Sequence, residues 1–438
     1  MSASFVDLAS FVRPADPKSP RVSGMAAQLV GSEILKIAAE IRALVAKGQS
    51  VCNLTVGDFD PKQFPIPESL RNHIVAAYDA HETNYPPSNG MPQLRDAVQR
   101  FYQRELGLSY PLDSILIASG ARPVIYGIYR AVVDPGDTVV YPVPSWNNNH
   151  YVTMLGARGV ALETGPETRF LPNRELIEKT LPGARLVCLN SPLNPTGTAM
   201  SRDMVLGISE AIVRENEQRA ARGEKPVYLM YDQIYWMLTA EGTSHYSPPA
   251  LVPEMARYTI FVDGISKAFA ATGVRVGWAV GPTDVIDRMS AILGHVGAWA
   301  PRAEQLATAK MLDQPESYRG YVEELKGGIV GRLAALHEGF QALKAQGLAI
   351  DSLSPEGAIY LTVRIAPFGK KSPQGKVLET NEDVRRYVLD AAGIGIVPFQ
   401  AFGYPGDSGW FRLSVGAVSM RDIQDALPRL GEALRALG

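Results

Sequence analysis

Apolar and polar positions follow two alternating patterns through the middle of the chain. Short runs that are apolar at nearly every position recur between stretches in which apolar residues return every three or four positions. The runs predict strands covered on both faces, as in a parallel sheet, and the spacings predict helices. The predicted strands lie at residues 115–118, 138–141, 185–190, 227–231 and 276–280. This alternation predicts a layered α/β fold, and we assign residues 61–314 to a large domain.

The two ends of the chain carry a different pattern. A helical spacing over residues 31–47 and a strand-like run at 51–56 precede the large domain. After it come long helical material over residues 312–343 and a mixture of short elements, with strands at 359–363, 395–398 and 410–415 and helices at 380–391 and 420–437. These segments predict a smaller α+β domain made of residues 25–60 and 315–438. Residues 1–24 are rich in Pro, Ser and Ala, and we expect an extended N-terminal arm.

Composition narrows the class of protein. A chain of 438 residues exceeds what one hydrophobic core usually organises, which agrees with two domains. With 46% apolar residues, 20% charged residues and a net charge of -2, no nucleic acid or membrane surface is implied as a partner. Cys52 and Cys188 lie in apolar runs with no metal or disulfide spacing, so we expect buried free thiols and no metal. No signal peptide or membrane-length apolar run is evident, and a cytoplasmic location is expected.

One lysine stands out by its neighbours. Lys267 lies among small and apolar residues in the segment 261–278, with a hydroxyl just before it and two glycines around Arg275 after it. Desolvation disfavours the ammonium form, and a neutral amine is the nucleophile that forms a Schiff base with an aldehyde. A surface lysine at the end of a strand is the alternative, so the other motifs of the chain must decide.

Two further motifs follow strand-like runs upstream. They are Ser-Pro-Leu-Asn-Pro-Thr-Gly at residues 191–197 and Leu-Met-Tyr-Asp-Gln-Ile-Tyr at residues 229–235. Asn-Pro-x-Gly alone marks any tight turn, but this ordered set with the lysine segment resembles the fold-type I, class I/II aminotransferases, including aspartate aminotransferases. The resemblance spans roughly residues 25 to 420. It implies pyridoxal 5'-phosphate (PLP) as cofactor, a homodimer, and a large domain whose mainly parallel seven-stranded sheet lies between helices, beside a smaller α+β domain.

The resemblance assigns residues to the cofactor ring. Asp232 stands at the carboxyl end of a predicted strand, where a carboxylate can keep the pyridine nitrogen protonated. Tyr235 and Asn194 are implied as donors to the phenolic oxygen, and Trp146 as the residue stacked on the ring. Asn149 takes the place of a histidine that supports the aspartate in some relatives. The residue that orients Asp232 is therefore open.

The resemblance also implies a phosphate site. Backbone N–H groups at the start of the helix that follows the strand at 115–118 attract anions together with the helix dipole. One tyrosine is implied to come from the neighbouring subunit. The phosphate-binding residues are Gly120, Ala121, Arg122, Ser266, Arg275 and Tyr85. An ordinary strand-to-helix connection would have a similar sequence, and Tyr85 could instead pack on the prolines that follow it.

Substrate contacts are implied at four positions. Arg412 matches the arginine that grips the α-carboxylate in this family, with Asn194 and the backbone of Gly57 beside it, because a planar fork of donors suits a carboxylate. An arginine in an edge strand is more often a solvated charge. Arg122 stands where some aspartate aminotransferases carry a lysine for the distal carboxylate. It binds either that carboxylate or the cofactor phosphate, or it forms a surface ion pair.

The leading hypothesis is a ping-pong aminotransferase that uses Lys267, Asp232 and Tyr235 as catalytic residues. It would move an amino group between an L-amino acid, aspartate or glutamate if Arg122 faces the substrate, and a 2-oxo acid. An aminotransferase for aromatic or other amino acids and a lyase on the same fold are the alternatives, and an aromatic pocket could be lined by Tyr360, Trp236 and Trp410. A DNA-binding regulator is disfavoured, because about 25 residues before the first motif helix are too few for an added domain.

Overall fold

The structure is a computed structural model that describes residues 8–9, 11–12, 21–29, 31, 33–146 and 148–438. Most of the expected N-terminal arm lies outside the described residues. Fifteen α-helices occur in the described part: α1 (Gly24–Gln28), α2 (Glu33–Ala46), α3 (Glu68–Asp79), α4 (Pro92–Leu106), α5 (Ala121–Val132), α6 (Asn148–Leu155), α7 (Arg174–Glu178), α8 (Arg202–Ala221), α9 (Pro248–Leu251), α10 (Ile265–Ala268), α11 (Thr283–Val296), α12 (Arg302–Leu312), α13 (Arg319–Ala345), α14 (Asn381–Ala392) and α15 (Met420–Arg435).

Thirteen strands in the described residues form three sheets. They are β1 (Cys52–Asn53), β2 (Ile115–Ala118), β3 (Thr138–Val143), β4 (Arg158–Glu163), β5 (Ala184–Asn190), β6 (Tyr228–Asp232), β7 (Thr259–Gly264), β8 (Gly277–Val280), β9 (Ile350–Ser352), β10 (Tyr360–Ile365), β11 (Ile394–Gly395), β12 (Val397–Pro398) and β13 (Trp410–Ser414).

The largest sheet has seven strands in the order β2-β8-β7-β6-β5-β3-β4. Strand β8 runs antiparallel to β2 and β7, and the remaining neighbours pair in parallel. Alternate residues of β6 enter different apolar clusters, with Leu229 and Tyr231 on one face and Tyr228 and Met230 on the other. The apolar runs therefore reflect burial on both faces. This confirms the predicted α/β fold with a mainly parallel seven-stranded sheet.

Strand β4 had no counterpart among the predicted strands. It lies at the edge of the sheet, and most of its side chains are at least partly exposed. An edge strand with one covered face lacks the continuous apolar run that marked its neighbours.

A four-stranded antiparallel sheet, β12-β13-β10-β9, and a parallel pair, β1-β11, belong to the ends of the chain. Strand β13 lies between β12 and β10, so the alternative of a solvated arginine in an edge strand does not apply to Arg412. The helical material expected over 312–343 begins only at Arg319, where α13 starts, and a break separates it from α12, which ends at Leu312. Pro315 explains the break, since the residue before a proline avoids the helical region.

Both cysteines of the chain lie in the interior. Cys52 and Cys188 are buried and free, as the sequence predicted. Within the described ranges, no helix has the length and apolar character needed to span a membrane, and no group of three or more acidic, cysteine or histidine side chains could hold a metal ion.

A buried polar network underlies the carboxyl ends of β6 and β7. The Asp263 carboxylate accepts hydrogen bonds from Tyr102 Oη at 3.0 Å, Trp236 Nε1 at 3.1 Å and Gln233 Nε2 at 3.3 Å, and from the Gly264 N–H at 2.8 Å. No cation pairs with it in the described part of the chain. Burial, which outweighs these hydrogen bonds, raises the pKa of Asp263 to about 7. The network ties the turn after β6 to the end of β7.

This raised pKa predicts a pH-dependent stability. Between pH 4 and 7 the native Asp263 holds its proton while the unfolded residue has lost it, so its contribution to the free energy of unfolding falls as the pH rises. Asp263→Asn removes this titration. We compare the free energy of unfolding of the wild type with that of Asp263→Asn. The wild-type value minus the variant value should decrease by about 4 kcal/mol at most from pH 4 to 7. Denaturant unfolding measures it, and a constant difference would show an ordinary pKa for Asp263.

Candidate active site

A cavity of about 520 Å³ opens at the carboxyl ends of β5, β6 and β7, where ligands of open α/β sheets bind. Residues of β10, β13 and α2 complete its wall, so the cavity lies between the large sheet and the four-stranded sheet. The predicted site residues that line it are Gly57, Ala121, Arg122, Trp146, Asn194, Asp232, Tyr235, Ser266, Lys267, Arg275 and Arg412. Gly120 lies just behind the lining, and Tyr85 lies elsewhere.

Lys267 follows β7 on the short helix α10. Its Nζ donates a hydrogen bond to the Gly57 carbonyl oxygen at 2.7 Å and lies 5.8 Å from the ring centres of Phe59 and Tyr235. Burial lowers the pKa of Lys267 to about 8, against the opposing effect of Asp58. The amine is therefore partly neutral and nucleophilic near neutral pH.

Asp232 ends β6 and points into the cavity. Its Oδ1 accepts a hydrogen bond from the Ile234 N–H at 3.1 Å, and its carbonyl oxygen accepts from Asn190 Nδ2 at 2.8 Å. Burial raises the pKa of Asp232 to about 7, while the Ile234 hydrogen bond and Lys267 lower it. Asn149, the residue at the expected supporting position, is exposed and has no hydrogen bond to Asp232. The turn after β6 orients this carboxylate instead.

Arg412 on β13 is 1% exposed and has no carboxylate partner among the described residues. One guanidinium nitrogen donates to Asn194 Oδ1 at 3.2 Å, another donates to the Thr55 carbonyl oxygen, and Nε has no partner. The guanidinium lies between two aromatic rings, 4.7 Å from the centre of Tyr360 and 4.8 Å from that of Phe402. Burial lowers the pKa of Arg412. A buried guanidinium in this state is a site for an anion.

Arg275 and Gly120 form a second cationic corner. The guanidinium of Arg275 donates to the carbonyl oxygens of Thr272 at 2.7 Å and Ser119 at 2.8 Å. Gly120 has φ of 100°, and a Cβ there would lie 2.3 Å from Arg275 Nη2. Only glycine therefore fits between the strand and the guanidinium. The hydroxyl-bearing Ser266 and the N-terminus of α5 line the same part of the cavity.

Arg122 lies at the mouth of the cavity on the first turn of α5. Its guanidinium is exposed, stands 5.2 Å from the ring centre of Trp146, and has no ion pair with any described residue. The surface ion pair considered from the sequence is therefore absent in the described part of the chain. Of the assignments that the sequence left open for Arg122, the distal carboxylate of a substrate and the cofactor phosphate are left.

The other candidates fall in different places. Tyr85 is 81% exposed outside the cavity, with its ring against Trp299 at 5.2 Å between ring centres. Of the three aromatic residues considered for a pocket, only Tyr360 lines the cavity. The indole of Trp236 donates to Asp263, and Trp410 packs on neighbouring aromatic rings.

Three residues near the site make contacts that the sequence did not predict. Tyr360 was considered only as an aromatic wall, yet its hydroxyl lies 2.7 Å from that of Tyr235. Asp58 accepts a hydrogen bond from Thr272 Oγ1 at 2.6 Å, and Phe402 packs on Arg412. Asp58 could have been found, because it follows Gly57 in the same turn; the other two depend on packing between distant segments.

The cavity has an excess of positive charge. Its wall carries four cationic side chains against two carboxylates, Asp58 and Asp232, and none of the six takes part in an ion pair within 4.0 Å among the described residues. The four cations are Arg122, Lys267, Arg275 and Arg412. Such a cavity favours a ligand with several negative groups.

Comparisons with known proteins agree on one family. The family model described as "Aminotransferase class I and II" matches residues 49–430. An aspartate aminotransferase of Rhizobium meliloti (strain 1021) is 32% identical and is matched over 92% of this chain and 93% of its own length. An aspartate/prephenate aminotransferase of Thermus thermophilus is 30% identical, with 92% and 96% covered. A crystal structure of the aspartate aminotransferase from Rhizobium meliloti superposes with a TM-score of 0.87, covering 95% of this chain and 100% of that one.

The lowered pKa of Lys267 predicts its reactivity. In ligand-free protein, modification by trinitrobenzenesulfonate should accelerate with pH and level off above about 8, because only the neutral amine reacts. An ordinary lysine would continue to gain reactivity up to about 10.5. Peptide mass spectrometry follows Lys267 separately from surface lysines, and a rate still rising at pH 10 would contradict the lowered pKa.

Proposed function

Because this chain belongs to the class I and II aminotransferases, which depend on PLP, we propose that it moves the amino group of a dicarboxylic amino acid such as aspartate or glutamate to a 2-oxo acid. The observation that carries the proposal is a cavity whose four cations form no ion pair with any described residue. A cofactor phosphate and two substrate carboxylates would supply the missing negative charge.

The residues of the cavity fit PLP. At one corner, Arg275, Ser266 and the first N–H groups of α5 offer donors for a phosphate, and Gly120 leaves the space that Arg275 occupies. Nearer the centre, the carboxylate of Asp232 is available to a protonated ring nitrogen, and Trp146 offers a ring for stacking. We assign phosphate binding to the first group, together with Ala121, and ring binding to the second.

The raised pKa of Asp232 supports this assignment. The carboxylate is buried without a cationic partner within 4.0 Å in the described residues, and a pyridinium nitrogen would supply that partner. When bound, PLP supplies an aldehyde for Lys267 and an electron sink that acidifies the substrate Cα–H bond. Asp232 would keep that sink protonated.

Lys267 has the properties of both nucleophile and general base. Its lowered pKa leaves part of the amine neutral near neutral pH, and an amine that can gain and lose a proton suits proton transfer at the substrate Cα. Tyr235 and Asn194 also line the cavity and would donate to the phenolic oxygen. The two half-reactions would use the cavity in turn, as a ping-pong cycle requires.

Arg412 would bind the α-carboxylate common to all amino acids. Its free Nε and its hydrogen bond to Asn194 leave a fork of donors already held in place by Thr55 and two aromatic rings. A carboxylate fixed in two directions orients the Cα–H bond. The Gly57 backbone lies beside this position, and its carbonyl oxygen accepts a hydrogen bond from the Lys267 amine.

Arg122 would bind the distal carboxylate. Arg275, Ser266 and the α5 N-terminus already provide the phosphate with donors, which leaves the Arg122 guanidinium at the mouth of the cavity for the substrate. The relatives named for aspartate and for aspartate/prephenate act on substrates with two carboxylates, and this supports the assignment by similarity. A lyase would need the same cofactor contacts, and nothing in the cavity favours it.

Several finer predictions complete the proposal. We propose a homodimer in which Tyr85 reaches the phosphate of the partner subunit, because this tyrosine is exposed and Val75, Tyr78 and Val296 are exposed apolar side chains. We also propose a division into residues 61–314 and residues 25–60 with 315–438, each with its own sheet. The cytoplasmic location stays a prediction.

The role of Arg122 predicts a selective loss. Arg122→Ala should lower kcat/KM for aspartate by about 10- to 100-fold and change that for alanine or phenylalanine little, because only the dicarboxylate loses a charged hydrogen-bond partner. Half-reactions of the PLP-loaded protein with single amino acids, followed by the loss of the cofactor absorbance, measure both values.

Two further variants sharpen that comparison. Arg122→Lys should recover part of the activity with aspartate, since it keeps the charge and loses the fork. Arg412→Ala should lower kcat/KM for every amino acid. Equal losses for all substrates in Arg122→Ala would assign this arginine to the cofactor, and ammonia with pyruvate as products of the wild type would indicate a lyase.

A further inference from the structure

Tyr360 on β10 contacts three groups of the site at once. Its hydroxyl lies 2.7 Å from the hydroxyl of Tyr235, and its ring lies 4.7 Å from the centre of the Arg412 guanidinium. The same hydroxyl fills the space beside Gly57, where a Cβ would lie 2.5 Å from it. Tyr360 is 1% exposed and belongs to the four-stranded sheet, whereas Tyr235 belongs to the turn after β6.

The two hydroxyls share one hydrogen bond, and each has one proton. Neither has another hydrogen-bond partner in the described ranges. If Tyr235 turns its proton towards a ligand oxygen in the cavity, the hydrogen bond between the tyrosines can only be donated by Tyr360. A hydroxyl that accepts a hydrogen bond is in turn a better donor. The Tyr360 hydroxyl therefore determines where the Tyr235 proton points.

Electrostatics favour this direction. Burial raises the pKa of both hydroxyls, that of Tyr235 well above its usual range. The neighbouring Arg412 guanidinium opposes this rise at both hydroxyls; at Tyr360 only burial has a larger effect, whereas at Tyr235 the nearby Tyr360 and Asp232 add to the rise. The more acidic member of a hydroxyl pair is the preferred donor. The Arg412 guanidinium lies 4.7 Å from the ring centre of Tyr360, and this position favours Tyr360 as the donor.

The ring of Tyr360 has a separate effect. Together with Phe402, it packs against the guanidinium of Arg412, which lies 4.7 Å from one ring centre and 4.8 Å from the other. Cation–π contacts of this kind hold a desolvated guanidinium without neutralising it. The orientation of the fork is thus set before a carboxylate arrives.

We infer that Tyr360 is a positioning residue with two separable parts: its hydroxyl directs the Tyr235 proton towards the cofactor, and its ring fixes Arg412 for the substrate carboxylate. This inference rests on the proposed roles of Tyr235 and Arg412. One side chain would thus link the tuning of the cofactor to the binding of the substrate.

Tyr360→Phe removes the hydroxyl and keeps the ring. In the PLP-loaded variant, the pH midpoint of the change in cofactor absorbance should rise by roughly 0.5 unit or more. The reason is that Tyr235, which no longer accepts a hydrogen bond from Tyr360, becomes a weaker donor to the phenolic oxygen of the deprotonated form. We expect kcat to fall by about tenfold with KM for the amino acid nearly unchanged. Tyr387→Phe is the matched control, since its buried hydroxyl donates at 2.7 Å to the Ala433 carbonyl oxygen away from the cavity.

A double-mutant cycle separates positioning from general damage. In a Tyr235→Phe background, Tyr360→Phe should produce no further shift of the midpoint, because the hydroxyl through which it acts is gone. Tyr360→Leu removes the ring as well and should also raise KM for every amino acid by about tenfold.

The outcomes distinguish this inference from the proposed function. A Tyr360→Phe midpoint equal to that of the wild type, or a shift that persists without the Tyr235 hydroxyl, would overturn the hydroxyl role. An unchanged KM in Tyr360→Leu would overturn the ring role. Failure of the proposed function would appear in the wild type, as a lack of amino-group transfer with any amino acid.

Discussion

Unneutralised positive charge in a half-buried cavity is the constraint on which the site depends. Lys267, Arg275 and Arg412 each donate to main-chain carbonyl oxygens, and none pairs with a carboxylate in the described residues. Carbonyl dipoles orient the cations and partly replace water, but they leave the charge uncancelled. Binding a phosphate and carboxylates relieves this cost. The folded chain therefore favours the binding of anionic ligands in this cavity.

The fold supplies these groups from two sheets that meet at the cavity. The parallel strands β5, β6 and β7 end at the same edge, which places Asp232 and Lys267 close together. Strands β10 and β13 of the antiparallel sheet bring Tyr360 and Arg412 to the opposite wall. The contacts between Tyr235 and Tyr360 and between Asn194 and Arg412 join the two halves. Under the proposed function, cofactor binding and substrate binding would therefore depend on the same junction.

Sequence reasoning predicted residues that line the cavity where the signal is local. Lys267, Asp232 and Asn194 lie in short motifs after apolar strands, and those strands form because their side chains are covered on both faces. It named Tyr360 only as a wall of an aromatic pocket, because the contacts of Tyr360 with Tyr235 and Arg412 join segments more than 50 residues apart in the chain. The exposed edge strand β4 and the placement of Arg412 inside its sheet likewise follow from tertiary packing.

The covalent partner of the cofactor tests the account most directly. The PLP-loaded protein would be reduced with borohydride, digested and analysed by peptide mass spectrometry, which retains the cofactor on the lysine that bound it. The account predicts the added mass on Lys267, the amine whose pKa burial lowers to about 8. Modification of a surface lysine with Lys267 unlabelled would contradict it.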